Sequence, residues 1–263
     1  MIEAQALLKE GRLAEAVEAV TRQVRAHPSD ETRRMFLFEL LLFTGEWERA
    51  LKQLDVLARQ DAQSELGAQV YRNNIGAMRQ RERLRAEGVA PHFLSEPPAE
   101  IDLHLAAIEE WSAGRAAEAQ KLLNKAAKRR QPLAGRVNGR EFSDWRDADA
   151  TLTPVLESII SDKYTWLPFS QLKRVELKTP KRLRDLVWCP ARIETRAGMI
   201  GEVFVPALYE GSSRHADEKI KLGRMTLWEA AGDNGPERPQ GLRLFLAGEE
   251  ELPIFEASRV EFD

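Results

Sequence analysis

The chain has 263 residues, of which 43% are hydrophobic and 31% charged, with a formal net charge of −3. That balance fits a folded protein with a well-charged surface. No run approaches the roughly 20 apolar residues that a membrane span needs, and the longest apolar cluster, Phe36 to Phe43, is broken by Glu39. The one cysteine, Cys189, has no internal disulfide partner, and Met1-Ile2-Glu3-Ala4 lacks a basic-then-apolar leader. A cytoplasmic location without membrane contact is therefore expected. Residues 1–130 carry 20 basic and 20 acidic side chains, whereas 171–196 has eight basic against three acidic and 229–263 three against nine. With no domain-wide basic excess, a nucleic-acid partner is not expected.

From the N-terminus, Gly11, Leu13, Ala16 and Val20 recur as Gly45, Trp47, Ala50 and Leu54, each 34 residues on. A third copy, Gly114-Arg115-Ala116-Ala117-Glu118-Ala119, follows the first at an offset of 103, three periods plus one residue. A period of about 34 is that of the tetratricopeptide helical hairpin, and the resemblance covers residues 1–131. Gly11, Gly45 and Gly114 fall where one helix ends and the next begins, a place that favours positive φ. Ala16, Ala50 and Ala119 are small, as close helix packing requires. Between the second and third copies, Ser64 to about Ala86 reads as one long helix with Leu66, Val70, Ile75 and Met78 on its apolar side. Gly88 to Pro98 reads as a connector. Gln131 to Gly139 marks the boundary between a unit at 1–131 and a second at 140–263.

Beyond 140 the period changes. Thr153-Pro154 predicts a helix start running to about Ser161, and a shorter helix is expected after Pro180. Alternation predicts strands at Val175/Leu177, Ile193/Thr195, Leu242/Leu244/Leu246 and Val260/Phe262. Arg196-Ala197-Gly198 predicts a hairpin turn into a mostly buried strand, Met199 to Val205. Gly211 to Lys221 and Gly232 to Gln240 read as exposed loops. The fold class is thus α+β: a tetratricopeptide-like α-helical array followed by a smaller mixed α/β domain with a mainly antiparallel sheet.

Chemistry is sparse. His27, His92, His104 and His215 are scattered, no Cys-x-x-Cys, phosphate loop or Gly-x-Ser-x-Gly elbow occurs, and no metal or cofactor is expected. Cys189, between Trp188 and Pro190, reads as a buried thiol. Arg146, Asp147, Asp149, Arg184 and Asp185 read either as internal salt bridges and caps or, with His215 beside Asp147, Asp149 and Arg184, as a hydrolase or transferase site. Trp145, Trp166, Trp188 and Trp228 read as core or interdomain contacts. The Arg72, Arg79, Arg81, Arg83, Arg85 series and the Lys121, Lys125, Lys128, Arg129, Arg130 cluster read as solvated helix faces, or as steering for an acidic partner.

The second half carries Phe142-Ser143-Asp144-Trp145-Arg146-Asp147-Ala148-Asp149, Pro154-Val155-Leu156-Glu157, Tyr164-Thr165-Trp166-Leu167-Pro168-Phe169, Leu183 to Ala191, Gly201 to Tyr209 and Leu222-Gly223-Arg224. In that order, and together with the repeats before them, these residues resemble the ImpE, TagJ or SciE-type accessory proteins of bacterial type VI secretion systems over nearly the full chain. The resemblance implies a cytoplasmic, non-enzymatic accessory factor. Its implied partner is a helical segment of the smaller contractile-sheath subunit, with the AAA+ disassembly ATPase as a second, in sheath assembly or recycling. A general tetratricopeptide adaptor outside secretion remains the other binding-protein reading. Aligning the hairpins by Gly45 and Gly114 puts Met35, Glu39 and Leu42 on one first helix, and His104, Ile108 and Trp111 on its equivalent. First helices line the concave face of such arrays, so these six are candidate contacts for an amphipathic helix. The competing reading is that Leu42, Ile108 and Trp111 fill hairpin cores.

Overall fold

The structure, a computed structural model, describes residues 1–59, 62–230, 232 and 234–263. Helices α1 (Ile2–Lys9) and α2 (Leu13–Ala26), α3 (Glu31–Thr44) and α4 (Trp47–Leu57), and α6 (Ile101–Ser112) and α7 (Ala116–Arg129) form three hairpins. The long α5 (Ala62–Glu87) runs between the second and the third. Gly11, Gly45 and Gly114 turn the hairpins at φ of 85°, 68° and 77°, a region that costs side-chain-bearing residues about 1 kcal/mol or more. Ala16, Ala50 and Ala119 are all fully buried, so the paired helices touch along their small residues.

In α5 only part of the expected apolar side is buried. Ile75 is buried, but Leu66 is 71% and Val70 42% exposed. The buried residues of α5 are Ala68, Asn74, Ile75, Ala77, Arg81 and Leu84. Ahead of Asn74 only Ala68 is buried, and Leu66 and Val70 lie in that exposed first part of the helix.

The second half holds β1 (Gly135–Val137), β2 (Arg140–Phe142), β3 (Trp145–Asp147), β4 (Val155–Ile160), β5 (Lys163–Pro168), β6 (Leu172–Leu177), β7 (Trp188–Thr195) and β8 (Ile200–Pro206). They are followed by a short α8 (Glu218–Lys221), β9 (Thr226–Ala230), β10 (Glu237–Gly241), β11 (Leu244–Ala247), β12 (Glu250–Pro253) and β13 (Arg259–Phe262). Eight strands make an antiparallel sheet in the order β2-β1-β13-β6-β7-β8-β4-β5, joined by a three-stranded sheet β12-β11-β3 and the ribbon β10-β9. The fold is α+β, with a tetratricopeptide-like array followed by antiparallel sheets. The expected strands at 175–177, 193–195 and 260–262 are present. Of the one expected at 242–246, Leu244–Ala247 forms β11 while Leu242 makes an isolated bridge with Leu208. Gly198, at φ 87°, turns β7 into β8.

Three expectations are corrected. The stretch after Thr153-Pro154 is strand β4, not a helix: it is rich in β-branched residues and buried on both faces. Thr153 bonds back to the carbonyls of Asp149 and Ala150 instead of capping forward. After Pro180 there is only a 3-10 turn, Leu183–Leu186. The expected loops are partly structured: 211–221 contains α8, whose Glu218 accepts from the backbone N–H groups of Leu13 and Ala14 at 2.7 and 2.8 Å, and 237–240 belongs to β10. Asp233, in the second of these loops, lies outside the described residues.

The two halves share one core. Phe38, Leu41, Phe43 and Ile75 pack in the same cluster as Val155, Trp166, Trp188, Leu208 and Tyr209. A second core, around Trp145, Phe169, Phe245 and Phe262, lies within the sheets. The connector seals the outer strand, with His92 exchanging backbone hydrogen bonds with Tyr164 and Trp166, both at 2.9 Å.

Candidate partner-binding site

The six candidate residues fall into two places. Met35 and Glu39 lie on α3 at an open groove against the Leu183–Leu186 turn. Leu42, one turn further on, is 1% exposed and belongs to the shared core. On α6, His104 and Ile108 are buried, and Trp111 lies half-buried beneath the guanidinium of Arg85, 5.7 Å from its ring centroid. His104 sits against the backbone of Ala150 and Thr151, and burial pushes its pKa down to about 4. The α6 residues therefore do not share a face with Met35 and Glu39, because α5 and the shared core lie between the hairpins.

The groove has two lobes that meet at Met35, Phe36, Glu39, Arg182 and Arg184. One, of about 600 Å³, runs along α5 past Ser64, Gly67, Ala68 and Tyr71. The other, of about 810 Å³, runs between Leu8 and Lys9 of α1, Phe43 and Lys181. At their junction Arg184 Nη1 donates to Glu39 Oε1 at 2.7 Å and lies 3.4 Å from Met35 Sδ. Its guanidinium carbon sits 4.9 Å from the Tyr71 ring centroid. Burial raises the Glu39 carboxyl against the downward pull of Arg184. The groove is thus walled by both halves of the chain.

The polar constellation of the second half is dispersed into separate contacts. Arg146 pairs with Asp144 at 2.7 Å, and Asp185 accepts from the backbone N–H groups of Lys181 and Arg182 at 2.9 and 3.0 Å. Asp149 binds Thr151 and Arg85. His215 Nδ1 accepts from the Asp217 N–H at 2.9 Å. Asp147 accepts from Tyr209 and Arg243, while Arg184 belongs to Glu39. Asp147, Asp149, Arg184 and His215 therefore do not converge on one cavity wall. Cys189 is buried and its thiol is pushed up to about 12 by that burial, far from the thiolate a nucleophile needs. No group of three or more metal-binding side chains occurs among the described residues, and no helix among them is long and apolar enough to cross a membrane.

Sequence reasoning missed the seam. Arg81, read as part of a solvated series, is 2% exposed and holds Glu157 of β4. Arg243 reaches the same carboxylate and Asp147 from the other side. A signal existed: Arg81 stands four residues after the buried Ala77 and three before the buried Leu84, on the inward stripe of α5.

Comparison with known proteins agrees with this layout. A tetratricopeptide-repeat model matches residues 7–72, and the model described as ImpE protein matches residues 139–261. A Pseudomonas aeruginosa protein, the type VI secretion system accessory component TagJ, is 35% identical over 260 residues, spanning 99% of this chain and 91% of that one. The chain belongs to the ImpE/TagJ family. The same architecture is seen in the X-ray crystal structure of a Vibrio parahaemolyticus protein, with a TM-score of 0.91 and 25% identity over 99% of this chain and 97% of the other. The match to the Pseudomonas aeruginosa relative spans nearly the full length, so both the helical array and the sheets fall within it.

Proposed function

We propose that this chain is a non-enzymatic adaptor of a bacterial type VI secretion system that binds a helical segment of the smaller contractile-sheath subunit. The observation that carries this reading is the 35% identity to the accessory component TagJ over 99% of the chain. In this reading the protein works in the cytoplasm, without metal or cofactor. It serves sheath assembly or recycling, handing the sheath to its AAA+ disassembly ATPase. Residues 1–131 are the partner-reading array, and 140–263 a rigid backing that completes it. Met35 and Glu39 are the candidate contacts that the groove supports. Leu42, His104, Ile108 and Trp111 act indirectly, by holding the helices that frame it.

An adaptor needs a solvent-open apolar surface and a firm frame, and the groove and the buried ion cluster at the seam supply them. The hydrolase or transferase reading gains no support from the separate ion pairs of Asp147, Asp149 and Arg184. Affinity purification of the full-length chain from its native host, followed by mass spectrometry, tests the proposal. Enrichment of the small sheath subunit over a mock purification is expected. Its absence, with other secretion components recovered, contradicts the partner named here.

A further inference from the structure

We infer that the array has a second binding surface, where α2, α3 and α4 meet, for a short acidic segment of a protein. Carboxylates of that segment lie against Arg25, Arg34 and Lys52, with one apolar side chain set between them.

A cavity of about 400 Å³ opens there, with Arg25, Arg34, Arg49 and Lys52 around it and no carboxylate among its lining residues. It shares no lining residue with the groove at Met35 and Glu39. Val24 and Leu37, both buried, supply its apolar part.

Elsewhere on the array Arg12, Arg72, Arg79 and Arg115 each pair with a carboxylate. Here only Arg49 does, with Glu46 at 2.5 Å. Among the described residues no carboxylate pairs with Arg25, Arg34 or Lys52, and Arg25 and Lys52 are exposed. Arg34 is half-buried and fully held: Nε and Nη2 donate to the Pro28 carbonyl at 3.1 and 2.6 Å, and Nη1 to Gln53 Oε1 at 2.9 Å. These neutral acceptors fix the guanidinium without cancelling its charge. A carboxylate arriving there meets a cation that folding has already ordered, and a hydrogen bond between two charged groups is the strong kind.

The charge pattern selects a peptide over a nucleic acid. Residues 1–130 carry 20 basic and 20 acidic side chains, so the excess is confined to this cavity and no basic track continues along a phosphate backbone. Val24 and Leu37 give a hydrophobic side chain something to cover, which a bare phosphate would leave open. Complementarity of this kind governs encounter and register more than affinity, so binding is weak and salt-dependent.

The test titrates the full-length protein, by fluorescence anisotropy at two salt concentrations, with a labelled peptide carrying one leucine between pairs of glutamates. Its counterpart with glutamine in place of glutamate is the reference peptide. Arg25→Glu/Lys52→Glu reverses two exposed charges, Arg34→Gln removes the held one, and Lys125→Glu/Lys128→Glu on the exposed face of α7 is the control. Saturable binding of the glutamate peptide is expected, weakened at least about tenfold at low salt by the double reversal and several-fold by Arg34→Gln, with the control unchanged. No saturable binding, equal binding of the glutamine peptide, or binding that neither cavity variant changes overturns the proposal. Displacement of the peptide by inorganic phosphate or a single-stranded oligonucleotide at equal or lower concentration also overturns it, in favour of a bare anion or a nucleic acid.

Discussion

Arg81 of α5 donates from Nε and Nη2 to the two carboxylate oxygens of Glu157 on β4, at 2.8 and 2.6 Å, across the seam between the helical array and the sheet. Arg81 Nη1 also reaches the Leu208 carbonyl at 3.0 Å. On the far side Arg243 bonds both Glu157 and Asp147, and the Tyr164 hydroxyl donates to Glu157. Two arginines thus face two carboxylates in a closed, charge-balanced cluster. Burial alone would raise Glu157, but the two guanidiniums hold it well below the usual carboxylate range. A bidentate arginine pair fixes direction as well as distance, so the cluster sets how the array meets the sheet and hence the shape of the groove.

Arg81→Met should destabilise the protein by about 3 kcal/mol or more, because truncating one partner leaves buried charge uncompensated. Chemical denaturation measures this. A double-mutant cycle with Glu157→Gln should show a coupling above about 1 kcal/mol; strict additivity would mean that the pair does not act as a unit.

The candidate residues on α3 should separate into two behaviours. Leu42→Ala removes a fully buried side chain and should cost about 2–5 kcal/mol. Met35→Ala, at the half-buried groove wall, should cost less than about 1.5 kcal/mol and act mainly on partner binding. Thermal melts compared with binding titrations distinguish the two, and equal stability losses would contradict the assignment.

His104 gives a pH signature. Its native pKa of about 4 lies below the ordinary 6.5. Between those values the unfolded chain binds a proton that the native chain excludes, so this contribution to stability is lost as pH falls. The loss is on the order of 3 kcal/mol from pH 7.5 to pH 4. His104→Gln should remove that component, so the stability gap between wild type and variant shifts toward the variant on acidification. A gap independent of pH would show that His104 is not buried neutral.

Gly45 serves as both turn and seam contact. A Cβ there would lie 2.8 Å from Ser213 Oγ and 3.1 Å from its Cβ, whereas one at Gly114 meets nothing within 4 Å. Both sit at positive φ, so Gly114→Ala should cost about 1 kcal/mol. Gly45→Ala should cost distinctly more, and Ser213→Gly in that background should return the excess. Equal costs for the two alanine variants would deny the contact.

The helical array was legible because its cues are local. A 34-residue recurrence puts glycine at each turn and alanine at each close contact, and every one of those positions behaves as its residue type demands. Strand β4 was not legible, since a strand buried on both faces carries a continuous apolar run that periodicity cannot tell from a buried helix, and Thr153-Pro154 imitates a helix start. Leu66 and Val70 misled because the first part of α5 buries only Ala68, so apolar type there does not report burial. The Arg81–Glu157 and Glu39–Arg184 pairs join residues 76 and 145 apart in sequence. Only tertiary folding reveals such partners, so the groove's second wall could not be foreseen from the repeat.

The proposed adaptor role rests on recognition of a helix of the small sheath subunit by this family member. Isothermal titration of the full-length chain with that subunit, intact and with its helical segment deleted, tests it most directly. Saturable binding to the intact subunit and none to the deleted form is expected. No binding to the intact subunit, or equal binding to both, would contradict it.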